Sequence, residues 1–123
     1  MKKLAKVGLL TIALTTVFGT SVQAANIMFE TASTTISEQN GKWASQAYTE
    51  GSYGTKYSRT YTEIWYNGKK VDWDTSRKEE GKSSYAVAYA PIKGGDVYST
   101  SNHRIWYGKS DDYSIQTSSR DEI

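Results

Sequence analysis

The longest alternation of side-chain character in the chain runs over residues 57–67, YSRTYTEIWYN. A period of two predicts a β-strand with one buried and one open face. The Asn67-Gly68 pair that follows can supply the two positive-φ positions of a type I′ turn. Residues 70–75, KVDWDT, then return as the second strand. The segment therefore predicts a β-hairpin.

A two-residue turn also predicts which residues of the hairpin lie opposite each other. The predicted pairs are Ile64 with Val71, Thr62 with Trp73, and Trp65 with Lys70, the last of which can form a cation–π contact. The same register places Glu63 opposite Asp72, and like charges in this position are unfavourable. Either a β-bulge changes the register, or a nearby cation such as Lys70 relieves the repulsion.

The rest of the chain shows the same strand-like character. Residues 42–48, 83–90 and 97–108 are short alternating or aromatic-rich segments between turn signals. The all-alanine face of residues 83–90 predicts a central strand. No 11-residue window has helical spacing of its apolar residues. We expect an all-β fold, a small antiparallel β-sandwich of five to six strands with a barrel as the related alternative, whose core domain spans residues 42–108.

The two flanks of this core domain are polar. Residues 26–41 are rich in Thr and Ser and close on an Asn-Gly turn signal, so they form either an edge strand or a loose leader. Residues 109–123 form a polar tail, which is either an edge strand or partly disordered.

Residues 1–25 have the layout of a secretory signal peptide. Three lysines precede an apolar run from Val7 to Phe18, and a small-residue cleavage box ends at Ala24 or Ala25. The apolar run is too short for a membrane-spanning helix, which needs about 20 apolar residues. We expect a secreted, extracellular protein with no transmembrane segment in the mature chain. The absence of cysteine argues against a lipid anchor.

Removal of this peptide changes the charge. The full chain has 15 basic and 13 acidic residues, and three of the basic residues lie in the signal peptide, which leaves 12 against 13 and a net charge of −1. Such a balance does not suit nucleic-acid binding. About 98 residues remain, enough for one domain that has no disulfide to support its core.

Few residues offer chemistry. There is no cysteine, and His103 is the single histidine, which we interpret as a surface or packing residue. One histidine does not make the usual zinc sites. The acidic pairs Asp72 with Asp74 and Asp111 with Asp112 lack EF-hand spacing and are interpreted as solvated carboxylates. The sequence predicts a non-enzymatic protein without a metal or cofactor.

The aromatic residues carry the functional signal. Ten tyrosines, four tryptophans and one phenylalanine follow the signal peptide, more than one inner face of a small sandwich can bury. Some of them are expected to form an exposed patch that binds a partner, because Tyr and Trp suit surfaces that are part apolar and part wet. The predicted ligand-binding residues are Trp65, Tyr66, Lys70 and Trp73 around the hairpin, and Trp106 and Tyr107 on the last strand. Sugar rings, wall precursors and membrane headgroups are the candidate ligands.

The chain also resembles the lactococcin 972 family of secreted bacteriocins, over about residues 42–107. Residues 74–99, DTSRKEEGKSSYAVAYAPIKGGDVYS, are similar to the later half of that family, where an alanine-alternating strand and a Gly-containing turn precede an aromatic strand. Trp43, Tyr48 and residues 56–58 lie where the family has its own Trp, Tyr and Lys-x-His-Ser elements, although the histidine is absent here. The resemblance implies a β-sandwich bacteriocin that binds a cell-envelope glycan or wall precursor of Gram-positive bacteria.

A second class of function fits the same residues. An extracellular structural or adhesive module would bind wall polysaccharide through aromatic residues or self-associate through its edge strands. An exported inhibitor of another enzyme is a third and weaker alternative. A toxin would kill or arrest sensitive cells, whereas an adhesive module would only attach to them.

Overall fold

The computed structural model describes residues 12–14 and 27–123, which form two antiparallel β-sheets packed face to face. The strands are β1 (Ile12–Leu14), β2 (Phe29–Gln39), β3 (Lys42–Gly51), β4 (Tyr57–Tyr66), β5 (Lys69–Thr75), β6 (Glu79–Glu80), β7 (Ser83–Pro91), β8 (Val97–Trp106) and β9 (Ser114–Glu122). A short 3₁₀ helix, Asp111–Tyr113, precedes β9. The predicted all-β sandwich is confirmed. Both flanks of the predicted core domain contribute a long strand, β2 and β9. The predicted signal peptide lies outside the described residues apart from β1.

The larger sheet has the order β1-β9-β8-β4-β5, with β6 also paired to β4, and the smaller sheet has the order β2-β3-β7. The prediction that residues 83–90 form a central strand is wrong, because β7 lies at an edge. Its alanine face is buried between the sheets. Small side chains there allow the larger sheet to pack closely, which does not require a strand on both sides. Among the described residues, no helix is long and apolar enough to cross a bilayer.

Two Asn-Gly pairs make the tight turns. Asn40 and Gly41 join β2 to β3 with φ of 52° and 80°, and Asn67 and Gly68 join β4 to β5 with φ of 50° and 83°. Positive φ at both central positions is the type I′ requirement, so the predicted hairpin turn is confirmed.

The register of the β4–β5 hairpin differs from the predicted one by a bulge. Trp65 lies opposite Lys70 as predicted, but the register then shifts, so that Ile64 lies opposite Asp72 and Glu63 lies opposite Trp73. The predicted pairs Ile64 with Val71 and Thr62 with Trp73 are therefore wrong. A one-residue shift moves every later side chain to the other face of the strand. The shift separates Glu63 from Asp72 and turns Trp73 outward beside Glu63.

The space between the sheets is divided into three zones. One end holds an apolar cluster built around Ile36, Trp43 and Ile64, and the other end holds a smaller one of Ile27, Ile105 and Ile115. A group of buried hydroxyls and one imidazole, here called the hydroxyl layer, lies between them. Its members are Thr34, Ser45, Thr49, Thr60, Thr62, Ser84, Ser99, Ser101, His103 and Ser119.

Hydrogen bonds connect the members of this layer across the two sheets. The Thr34 hydroxyl donates to the Ser101 oxygen at 2.6 Å, and the Ser45 and Thr62 hydroxyls lie 2.7 Å apart. Buried hydroxyls cost free energy unless they are paired, and these are paired with each other. The layer therefore holds the two sheets in one relative position.

Aspartates of the larger sheet cover both edges of the smaller one. Asp72 and Asp74 on β5 accept hydrogen bonds from the backbone N–H groups of Tyr89 and Val87 on β7, each at 2.9 Å. Asp121 on β9 accepts from the N–H of the β2 residue Ile36 at 2.8 Å. Exposed strand edges invite pairing with other chains. These carboxylates occupy edge N–H groups on both sides.

Candidate ligand-binding face

Side chains alternate in the central strands of the larger sheet with an unusual polarity. In β4 the inward residues are Ser58, Thr60, Thr62 and Ile64, all buried. The outward residues of the same strand are Tyr57, Arg59, Tyr61, Glu63 and Trp65. Strand β8 follows the same rule, with His103 inward and Tyr98 and Arg104 outward. The outer face of the larger sheet therefore collects rings and charges.

Four of these rings form what we call the aromatic belt, Tyr61, Trp65, Trp73 and Tyr98. Trp65 and Tyr98 stack with their ring centroids 5.7 Å apart and their planes 8° from parallel. The ring centroids of Tyr61 and Trp73 lie 6.0 Å apart. Trp73 is 54% exposed, and the other three are half-buried by their neighbours.

The belt ends on a cation. The Arg120 guanidinium lies 4.4 Å from the Tyr98 ring centroid, within cation–π range. Neighbouring strands are about 4.8 Å apart, so the belt and this arginine extend roughly 14 Å across β5, β4, β8 and β9.

Glu63 fixes the middle of the belt. Its carboxylate accepts hydrogen bonds from the Tyr61 hydroxyl at 2.6 Å and from the Trp65 indole N–H at 2.9 Å. Lys70 lies 3.6 Å from the same carboxylate. Desolvation by burial, together with the bond to Glu63 and its charge, raises the pKa of Tyr61 to about 12. Tyr61 is therefore a neutral donor at physiological pH, and two belt rings are held in fixed orientations.

A second group, here called the cationic cluster, surrounds Trp106 at the other end of the face. The Lys78 ammonium lies 4.5 Å from the Trp106 ring centroid, and the Arg59 and Arg104 guanidinium carbons lie at 5.5 and 5.7 Å. Trp106 is only 1% exposed beneath these cations and the 3₁₀ helix. Its indole N–H donates to Asp111 at 3.0 Å.

Asp111 supplies negative charge to this cluster. It forms an ion pair with Arg104 at 3.4 Å. The Trp106 hydrogen bond is the main cause that lowers the pKa of Asp111 below its ordinary value. Desolvation opposes it, and the charges of Arg104, Lys78 and Arg59 each add a smaller lowering effect.

A groove of about 400 Å³ lies between the aromatic belt and the cationic cluster. It is lined by Arg59, Tyr61, Thr75, Asn102, His103, Arg104 and Gln116. Most of these groups are hydrogen-bond donors, and the ring of Tyr61 belongs also to the belt. The belt, the groove and the cluster therefore form one continuous face that offers rings, amides and cations.

The structure brings together four of the six predicted site residues on this face. Trp65, Lys70 and Trp73 lie at the belt, and Trp106 lies in the cationic cluster. Lys70 pairs with Glu63, and no cation–π contact between it and Trp65 is found among the described residues.

The other two predicted residues lie elsewhere. Tyr66 packs on the larger apolar cluster, and its hydroxyl donates to the Gly94 carbonyl. Tyr107 packs on the smaller cluster and against Tyr113, with the two ring centroids 5.4 Å apart. Each directly follows a site tryptophan in the chain, so strand alternation turns it away from the outer face.

Several residues of the face were not predicted, notably Glu63 as a hydrogen-bond acceptor, Tyr98, Arg59 and Arg104. The sequence feature that identifies them is their spacing, because residues two positions apart on a strand share a face. Counting back by twos from Trp65 reaches Glu63, Tyr61 and Arg59, and counting back from Trp106 reaches Arg104 and Tyr98.

His103 belongs to the interior. Its Nδ1 lies 2.7 Å from the Thr49 hydroxyl, and its Nε2 lies 2.7 Å from the Ser119 hydroxyl. Burial lowers the pKa of His103 to about 4, so the ring is neutral at pH 7. Within residues 27–123, no group of three or more His, Asp or Glu side chains is placed to hold a metal ion.

Comparison with models of protein families, with curated proteins and with solved structures finds no match to this chain. The geometry of the outer face is therefore the basis for a functional proposal.

Proposed function

We propose that this protein is a secreted, non-enzymatic antibacterial protein of the lactococcin 972 type. It binds a component of the Gram-positive cell envelope through the aromatic face of its larger sheet. The ligand is a glycan or a wall precursor, whose sugar rings lie against the belt and whose polar groups meet the groove.

The exposed aromatic belt carries this proposal. Burying a large apolar side chain stabilises a fold by about 1.5–3 kcal/mol, yet Trp73 is left 54% exposed while serine and threonine occupy the middle zone of the interior. Rings with both an apolar face and a polar edge suit ligands with the same mixture, such as sugars. The hydrogen bonds of Glu63 to Tyr61 and Trp65 add preorganisation, which lowers the entropic cost of binding.

The environment of His103 supports a binding role over catalysis. The imidazole contacts the hydroxyl of Ser119, which could suggest a nucleophile and its base. However, its other nitrogen faces the hydroxyl of Thr49 where a triad would have a carboxylate, and both His103 and Ser119 are buried between the sheets. His103 borders the groove, but His103 and Ser119 are 0% and 1% exposed, so neither side chain is open to a substrate.

The test combines secretion, growth inhibition and binding. The full chain is expressed in a Gram-positive host, the exported protein is recovered from the medium, and its N-terminus is sequenced. It is then added to a panel of Gram-positive bacteria, and its binding to their isolated envelopes is measured. We expect cleavage near residue 25, growth arrest of sensitive strains with aberrant septa, and saturable envelope binding.

Variants connect the activity to the belt. Trp73→Ala and Trp65→Ala should weaken envelope binding by about tenfold or more, as expected for aromatic hot-spot residues, and should leave the circular dichroism of the sheets unchanged. Tyr53→Ala is the matched control, because Tyr53 is a 93% exposed ring outside the belt. Full binding by folded Trp73 and Trp65 variants would contradict the assignment.

One observation favours the second candidate, an extracellular adhesive module. The outer face of the smaller sheet also exposes rings, with Tyr48 opposite Tyr85 at 37% and 49% exposure and Tyr89 further along β7 at 39%. Rings on both outer faces suit a module that bridges two surfaces. Envelope binding without growth arrest in any strain would favour this function.

A further inference from the structure

We propose that Arg59 and Arg104 form a binding site for an oxyanion, a phosphate or carboxylate group of the ligand. The identity of that ligand as an envelope component rests on the function proposed above. The site occupies the cationic end of the groove, next to Tyr61.

The first argument is the position of the two arginines. Arg59 on β4 and Arg104 on β8 are directly opposite each other in the sheet, and both line the groove. Like charges directly across a strand pair repel each other. Such a pair is stable when an anion or another compensating group lies between or beside them, and a guanidinium fork matches the oxygens of carboxylate and phosphate.

The second argument is the charge around Trp106. Three cations lie within 6 Å of one indole ring, and the ion pair found in this cluster is the one between Arg104 and Asp111. Three cations and one ion-paired carboxylate therefore surround this ring. The chain as predicted after signal cleavage has a net charge of −1, so this concentration of cations reflects the arrangement of the residues.

The third argument is the donors that remain free. Among the described residues, the Arg59 guanidinium has no hydrogen-bond or ion-pair partner, although it is held over Trp106. The Nε of Arg104 is shielded from solvent without a hydrogen-bond partner, while its other nitrogens contact Gln116 at 3.0 Å and Asp111 at 3.4 Å. These contacts fix the Arg104 fork at the groove, and the Arg59 guanidinium keeps its donors for a further acceptor.

The ring under the cations also makes the site observable. The Trp106 indole N–H donates to Asp111, which is itself paired with Arg104. An anion that binds the arginines will change this hydrogen bond, and the indole N–H resonance will report it.

The exported protein is titrated with inorganic phosphate and, separately, with malonate, at constant ionic strength maintained with sodium chloride. The probe is the Trp106 indole N–H signal in a ¹H–¹⁵N spectrum. We expect a saturable shift. Binding of phosphate alone would identify a phosphoryl group, binding of malonate alone a carboxylate, and binding of both an oxyanion site without selectivity. No saturable shift with either anion would overturn the proposal.

Three variants distinguish a specific anion-binding site from the general effect of surface charge. Arg59→Gln should weaken anion binding about tenfold, the effect of losing a charged hydrogen bond. Arg59→Lys keeps a cation over Trp106 but loses the fork, so its affinity should fall in between. Arg120→Gln removes an arginine from the same face and should change the affinity less than about twofold. Equal effects of Arg59→Gln and Arg120→Gln would also overturn the proposal.

The two proposals can fail separately. Anion binding at Trp106 by a protein that inhibits no strain would leave the oxyanion site intact and reject the antibacterial function. Growth inhibition that depends on Trp73 but is unchanged in Arg59→Gln, together with an unresponsive Trp106 signal, would reject the oxyanion site and retain the function.

Discussion

In the middle zone between its two sheets this chain packs hydroxyls, and on the outside of its larger sheet it packs indole and phenol rings. Strand β4 shows both sides within four consecutive residues, since Thr62 and Ile64 point inward while Glu63 and Trp65 point outward. An ordinary sandwich has the opposite polarity, with rings inside and hydroxyls in water. The inner surface therefore contributes specific pairing, and the outer surface contributes apolar area that the fold does not use.

The two surfaces differ in what a substitution should cost. A neutral hydrogen bond contributes about 1 kcal/mol net to stability, but an orphaned buried partner costs about 1–3 kcal/mol. Each hydroxyl that is removed from the hydroxyl layer takes one hydrogen bond away from its buried partners. A ring that is removed from the outer face leaves a surface that water can cover. Inner substitutions should therefore act on stability, and outer substitutions on binding.

The largest expected effect is the response of stability to pH through His103. The pKa of this imidazole is lowered from 6.5 to about 4 by burial, so the unfolded chain binds the proton first as the pH falls. The stability is complete above pH 6.5 and is lost as the pH falls from 6.5 to 4, by about 3 kcal/mol in total. Urea unfolding at several pH values measures this loss.

His103→Gln is the control for the pH effect, because it removes the titrating group and keeps donors and acceptors. The raised pKa of Asp121, caused mainly by burial, acts in the opposite direction, since its protonation favours the folded state. Only the difference between the wild-type and variant pH profiles therefore isolates the histidine. Identical profiles for the two proteins would show that the imidazole is not the source.

Next in size is the loss of one interior hydroxyl. Thr62→Val keeps the shape of the side chain but leaves the hydroxyls of Ser45 and Ser101 without this partner. We expect a loss of about 2 kcal/mol in the free energy of unfolding, measured by chemical denaturation. Thr100→Val on the outer face of β8 is the matched control and should change stability by less than about 0.5 kcal/mol. Equal losses would remove the distinction between the two faces.

A smaller effect is expected where the sheets meet at the β7 edge. Asp74→Ala removes the acceptor for the Val87 N–H, which is partly buried, and should cost about 1 kcal/mol. Asp72→Ala removes the acceptor for the Tyr89 N–H, which water can reach, and should cost less. Chemical denaturation of the two variants checks the order. A larger loss in the free energy of unfolding for Asp72→Ala than for Asp74→Ala would reverse it.

The smallest effect on stability is expected at the aromatic belt. Trp73→Ala should change the free energy of unfolding by about 0.5 kcal/mol or less, because half of this side chain is already exposed. A thermal melt measures it beside the binding assay. A loss comparable to that of Thr62→Val would mean that the belt is part of the core.

The sequence predicted the positions of the strands and turns better than the face of the sheet on which each side chain lies. The alternation in residues 57–67 and the Asn67-Gly68 turn identified the hairpin, and the pairing of Trp65 with Lys70 was correct. The bulge after Ile64 was only one of two alternatives, because local sequence does not fix where the extra residue lies. That shift decides the face on which Trp73 emerges.

The hydroxyl layer was not predicted. Patterning assumes that the apolar face of a strand is the buried one, and that assumption fails for β8, where Ser99, Ser101 and His103 point inward. Hydroxyls become good interior residues only when partners on the other sheet satisfy them, and these partners lie up to 85 residues away in the chain. The cationic cluster has the same origin, because Lys78, Arg59 and Arg104 come from three separate segments.

The hydroxyl layer also determines how such a sequence can diverge. An apolar interior accepts exchanges among Leu, Ile, Val and Met at modest cost, so its hydrophobic pattern persists while its residues change. In the hydroxyl layer we expect the positions to accept little besides Ser and Thr, and an enlargement such as Ser45→Thr to need a reduction such as Thr62→Ser beside it. We expect relatives of this protein to retain Ser or Thr at every second position of the strands that form the hydroxyl layer. Their outer faces should change with the ligands they bind. Common ancestry would then be detected from the spacing of Ser and Thr residues, which usually carry little information in sequence comparison.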